Sequence, residues 1–167
     1  MIIGLSIHTF TIVHVVITLI AIVSGLVVVF GMLGAHSLPL WTALFLVTTI
    51  LTSVTGFMFP IHGFTPALGT GAVSIVVLAV AVFALYLKHL AGAWRWTYVV
   101  AAVLALYFNV LVLIVQSFQK ISLLHALAPT QSEPPFLMAQ VGTLVAFVAV
   151  GIAAASNFHP GPASRLT

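Results

Sequence analysis

Five apolar stretches, each of roughly twenty residues or more, follow one another along this chain with only short turns between them, and this feature limits its fold more than any other. At a rise of about 1.5 Å per residue, such a stretch is what a helix needs to cross a hydrocarbon core about 30 Å thick. The stretches cover about Phe10–Leu33, Leu40–Phe59, Leu68–Leu87, Trp96–Phe118 and Phe136–Ser156. Gly34–Pro39, Pro60 with Ile61–Ala67, and Lys88–Arg95 separate the first four, and Gln119–Pro135 is expected to be the longest loop. Pro and small polar residues at these places end helices.

Charge agrees with this reading. Four Lys or Arg and one acidic residue in 167 fall far below the roughly one quarter charged residues of a soluble domain. The expected fold class is therefore all-α: an integral membrane bundle of five transmembrane helices forming one domain over residues 1–167. No Lys or Arg precedes the first stretch, which is of spanning length, so it reads as a retained helix and not a cleaved leader. Lys88, Arg95 and Arg165 fall on one side of such a bundle and Lys120 on the other. By the retention of basic residues on the cytoplasmic side, the N-terminus is expected outside and the C-terminus inside. Trp41, Trp94 and Trp96 share the side expected to be cytoplasmic, as indoles at an interface do.

Several function classes are disfavoured at once. Without cysteine there is no thiolate metal site, disulfide or cysteine nucleophile. No basic run tracks phosphates, so nucleic acid is not an expected partner; the lipid bilayer is. A single carboxylate, Glu133, cannot run paired-carboxylate chemistry, and no nucleophile motif is present, so hydrolysis and covalent catalysis fit poorly. Glu133 itself, in Thr130–Pro135, has capping-box spacing before two prolines and reads as completing the positive end of the fifth helix.

Polar side chains within a span are costly unless they face protein or a cavity, so their helical phase shows which way each helix turns. On the second helix Thr42, Thr48, Thr49, Thr52, Ser53, Thr55 and Gly56 fall in one arc, interrupted by Phe45, with Leu44, Leu46, Val47, Ile50, Leu51, Val54, Phe57 and Met58 opposite. The fourth aligns Tyr98, Ala102, Ala105, Asn109, Gln116 and Lys120. The first places His14, Thr18, Ala21 and Gly25 on one face, and the fifth contributes Gln140 and Thr143. His14, Thr52, Thr55, Gln116 and Gln140 would all lie in the outer half of the bilayer, beneath His8, His62, Lys120, His125 and Glu133, while the inner half is mostly Ala, Val and Leu. The expectation is a polar, histidine-lined pocket opening outward. The same residues also suit plain interhelical hydrogen bonding and close packing.

Three functional classes stay open on this reading. The first is redox: a b-type haem ligated by His14 with His62 or His125 and met by Lys120, or a quinone held by His14, Gln116 and Thr52. His14 and His62 are also the candidate metal ligands; a zinc site from His8, His62, His125 and Glu133 has suitable ligand types but no motif spacing. The second is an accessory or assembly subunit, packing on other membrane subunits or on itself through Gly69, Gly71, Gly142 and Gly151. The third is a small proton or solute transporter, against which stand the apolar inner half and the missing intramembrane carboxylate.

The stretches Leu51–Phe57 (LTSVTGF) with Pro60, His89–Trp96 (HLAGAWRW) and Ala126–Phe136 (ALAPTQSEPPF) resemble an uncharacterised family of small bacterial inner-membrane proteins. That resemblance covers nearly the whole chain and implies a bacterial cytoplasmic membrane. It carries no activity, cofactor or functional residue with it.

Overall fold

The computed structural model describes residues 2, 4–60 and 66–160. Its helices are α1 (Ile7–Leu33), α2 (Pro39–Phe57), α3 (Pro66–Val82) continued by a π-helical turn (Phe83–Leu87), α4 (Trp94–Lys120), α5 (Ser122–Leu127) and α6 (Pro134–Asn157). Among the described residues there is no β-strand. Five helices, α1, α2, α3 with its π-turn, α4 and α6, are long and apolar enough to cross a membrane. The expected spans are therefore present, with α1, α4 and α6 starting two or three residues earlier than the hydropathy alone suggests. The loop expected over Gln119–Pro135 is not wholly irregular, because α5 lies within it.

Local chemistry explains the ends. Ser6 caps α1 by accepting a hydrogen bond from the Thr9 N–H at 3.1 Å, while Pro39 opens α2 and Pro134 and Pro135 open α6, where a missing N–H costs nothing. At its far end α1 closes with the paired bonds His36 N–H to Gly31 O (2.8 Å) and Ala35 N–H to Met32 O (3.1 Å). This is a Schellman closure with Ala35, at φ 58°, where glycine is usual. The end of α3 widens into the π-turn, after which His89 and Leu90 both take positive φ, at 47° and 57°.

α1 packs against α2, α4 and α6, and α3 packs against α2 and α4, so α1 to α4 close a ring with α1 and α3 on one diagonal. α6 lies outside this ring in the groove between α1 and α4. Its foot is fastened by capping bonds. Arg95 at the start of α4 donates to the carbonyls of Ala155 and Phe158, and Asn157 donates to Leu33 O, the last residue of α1. Arg95 thus spends its guanidinium on the free carbonyls of a helix end.

The polar arc of α2 faces inward: Thr42, Thr48, Thr49 and Ser53 are buried, while Leu44, Val47, Ile50, Leu51 and Val54 are exposed on the outer face. Leu46, expected among the outward aliphatics, is instead buried beside Phe45. The tightest point of the ring is Gly25 on α1. A Cβ there would lie 2.7 Å from Leu106 Cδ1 and 2.8 Å from Phe45 Cδ2, and both of those side chains are fully enclosed. By contrast Gly142 on α6 has nothing within 4 Å of such a Cβ, and Gly151 meets Val103 only at 3.5 Å. Of the glycines considered as packing faces, Gly71 touches Phe57 within the bundle.

Glu133 is the residue immediately before α6, but its carboxylate turns back into the preceding loop. It accepts from the Thr130 hydroxyl (2.8 Å), the Thr130 N–H (3.1 Å) and the Ser132 N–H (3.1 Å). The expected role at the helix end is thus replaced by a role in shaping the loop. Desolvation acts to raise the carboxyl's pKa, but the hydrogen bonds, led by the Thr130 hydroxyl, outweigh it and hold the group below its ordinary value.

Two outcomes are expected from these contacts. Gly25→Ala overpacks the ring and should destabilise the protein by about 1 to 3 kcal/mol, read as a lowered unfolding temperature in detergent, while Gly142→Ala should not. For Glu133, a lowered folded-state pKa means that its stabilisation is complete above the unfolded carboxyl's pKa and disappears as pH falls through the folded value. Amide exchange over Ala128–Glu133 should therefore quicken in acid more than the intrinsic rate does, and Glu133→Gln should abolish that excess.

Candidate functional site

At the end where α1 begins, called here the upper end, α1 to α4 line a cavity of about 270 Å³. Each helix of the ring contributes to its wall: His14 and Thr18 from α1, Thr52 and Ser53 from α2, Ser74 from α3, and Asn109 and Gln116 from α4. Phe59, Phe108 and Val112 supply apolar surface between these groups.

The geometry of His14 follows from α2. Its Nδ1 lies 2.7 Å from the Thr55 hydroxyl, and that hydroxyl donates its own proton along the helix to Leu51 O at 2.6 Å. Thr55 has one proton, so toward the imidazole it accepts, and Nδ1 carries the hydrogen. Nε2 is then the ring's bare acceptor, and among the described residues it has no partner. The ring also stands edge-to-face on Phe59, with centroids 5.3 Å apart, and Gly56 leaves room beneath its Cε1. One turn on, Thr18 donates to the carbonyl of His14 (2.8 Å) and lies 3.3 Å from the Thr52 hydroxyl. Deeper still, Asn109 donates across the ring to Thr49 at 3.3 Å.

Of the residues expected to form the site, the structure thus brings His14, Thr52 and Gln116 around one space. It does not bring His125 or Lys120 there. His125 is exposed on α5, and Lys120 is the exposed last residue of α4, beyond Gln116. His62 lies outside the described residues. His8 is exposed in the first turn of α1, and the described residues contain no group of three or more His, Cys, Asp or Glu able to share a metal ion. Gln140 and Thr143 belong to α6, outside the ring, and do not line the cavity; the Gln140 Oε1 is buried with no hydrogen-bond partner among the described residues.

Two elements were not legible beforehand. Thr55 was placed in the polar arc, but not as the group that fixes the His14 tautomer. The lower end, expected to be mostly Ala, Val and Leu, opens a second cavity of about 600 Å³ lined by Thr42, Tyr86, Tyr98, His36 and His89. Its histidines sit at helix C-termini, and their spacing in sequence gives no sign that they share a space.

Comparison of the chain with protein-family models, with curated proteins and with solved structures finds no match to any of them. The chemistry of the cavities has to carry the functional argument by itself.

The tautomer gives a direct check. Imidazole ¹⁵N shifts of His14 should show a protonated Nδ1 and a bare Nε2 in the native protein, and averaged values in Thr55→Val. Unchanged shifts in the variant would mean that Thr55 does not set the ring.

Proposed function

We propose that this is a multi-pass protein of a bacterial cytoplasmic membrane, N-terminus outside, whose upper cavity binds the ring of a quinone-type lipid in membrane electron transfer. The observation that carries this reading is the fixed imidazole of His14. With Nδ1–H committed to Thr55, Nε2 presents a lone pair suited to accept a hydroquinone O–H. Gln116 supplies amide donors for a quinone carbonyl across the same space, and Phe59 and Phe108 supply apolar surface for a ring. The wall mixes these polar groups with apolar side chains, so a bound ring meets hydrogen-bonding partners and greasy surface together.

Size separates quinone from haem here. About 270 Å³ lies near the lower limit of about 300 Å³ for small-molecule pockets, which suits a single ring and not a four-pyrrole macrocycle. His14 is also the only described imidazole in the wall, so a second axial ligand is not at hand. The isoprenoid tail would leave between helices into lipid. Orientation is supported by Lys88, Arg95 and the exposed Trp41 and Trp96 at the lower end.

The test is calorimetric titration of the purified protein in mild detergent with a short-chain quinol. Saturable binding is expected, weakened at least tenfold, or about 1.4 kcal/mol, in His14→Ala. Equal binding by the variant, or no binding beyond that of empty micelles, would contradict the proposal.

A further inference from the structure

A hydroxyl inside a membrane span commonly returns its proton to a carbonyl one turn earlier in its own helix. Thr11, Thr18, Ser24, Thr48 and Thr55 all do so here, at 2.6 to 2.8 Å. Among the described residues seven polar side chains are buried, and five of them are bonded: Ser24 and Thr48 in this way, Thr42 with Tyr98, and Thr49 with Asn109. The two that remain are Ser53 on α2 and Ser74 on α3. They are only 7% and 4% exposed, yet neither hydroxyl has a hydrogen-bond partner among the described residues. Their oxygens are not sealed in, because the fully enclosed polar side-chain atom without a partner is Gln140 Oε1, on α6. Both serine oxygens therefore open on space, and the space that both residues border is the upper cavity.

The two serines stand at similar depth. Phe57 and Gly71 meet across the seam between α2 and α3, where a Cβ on Gly71 would lie 3.3 Å from the Phe57 ring. Ser53 is one turn below Phe57 and Ser74 nearly one turn below Gly71, so each is about 5 Å deeper than that contact at the usual rise. His14 stands on α1, diagonally across the ring from α3, at the level of Thr55 and about 3 Å above Ser53. The cavity thus offers polar groups at three places: the bare Nε2 of His14, the amide of Gln116, and a pair of hydroxyls on the wall formed by α2 and α3. A quinone ring has two carbonyl oxygens, which the imidazole and the amide take, and the serines are left for further oxygen atoms on the ring. We infer that the ligand of this site is a methoxy-substituted benzoquinone, with Ser53 and Ser74 donating to its ether oxygens. This rests on the quinone reading and narrows it. A naphthoquinone, whose second ring is hydrocarbon, would cover both hydroxyls without bonding them, and a site built around hydrogen bonds discriminates strongly against an analogue that lacks the bonding atom.

Calorimetric titration of the full-length protein in mild detergent with decylubiquinol and with decylplastoquinol tests this, because the two share a tail and carry methoxy and methyl groups, respectively, at the same ring positions. The methoxy quinol is expected to bind about tenfold more tightly. In the double variant Ser53→Ala, Ser74→Ala that preference should disappear, while the affinity for the methyl quinol stays as it was. Neither hydroxyl bonds within the protein, so the double variant should unfold at no lower a temperature than the wild type, which separates a lost contact from a lost fold. Equal wild-type affinity for the two quinols, the result if the serines hold water alone, or a preference that survives in the double variant, would overturn the inference and leave the quinone site standing. A lowered unfolding temperature would show that the hydroxyls have partners inside the protein and would overturn it too. Failure of both quinols to bind would remove the quinone reading and this inference together.

Discussion

The hydrogen bond from Asn109 on α4 to Thr49 on α2 crosses the diagonal of the helix ring, and the rest of the bundle is arranged around interactions of this kind. Lipid offers no partner to an amide or hydroxyl, so each must be satisfied within the protein. His14 with Thr55, Thr18 with Thr52 and Asn109 with Thr49 all join α2 to another helix of the ring. Together they fix the rotation of α2, which turns its hydroxyl row inward and its aliphatic row outward. Individually such bonds contribute about 0.6 kcal/mol in a membrane. Their larger effect is to make one rotation of the helix far better than the others, and the upper cavity follows from that rotation.

Between the two cavities the ring is closely packed. From Thr18 to Val28 on α1, or from Tyr98 to Asn109 on α4, the separation along the helices is about 15 Å at the usual rise. Phe45, Leu78 and Leu106 fill it, with Gly25 giving the space that Phe45 and Leu106 occupy. The hydroxyls found at this level are already spent: Ser24 donates to Ile20 O and Thr48 to Leu44 O. Each cavity therefore opens at one end of the bundle, and a close-packed layer separates the two.

Much of this was legible because membrane physics acts on composition and phase. Helix length follows from the apolar runs, and the inward face of α2 follows from the positions of six hydroxyl residues and Gly56 at 100° per residue. Phase shows which face is turned from lipid, but it does not show which helix lies opposite. Gln140 has the phase of an inward residue, yet α6 sits outside the ring, so the amide faces the groove between helices and not the cavity. Lys120 continues the stripe of Gln116, but α4 projects beyond the ring at that point. Backbone geometry was the other blind spot. Ala35, His89 and Leu90 adopt positive φ with no glycine at those positions to announce it, so the sequence does not show that the two lower turns border one cavity.

The account depends most on the upper cavity being where a quinone ring binds. Photolabelling the protein in lipid vesicles with an azido-quinone, followed by peptide mapping, tests this directly. Labels should fall on the α1, α2 and α4 residues that line the cavity, near His14, Thr52 and Gln116, and be displaced by excess unlabelled quinone. Labelling spread over the outer face of α6, and insensitive to that competitor, would show a lipid-soluble probe meeting the bundle from outside and would contradict the account.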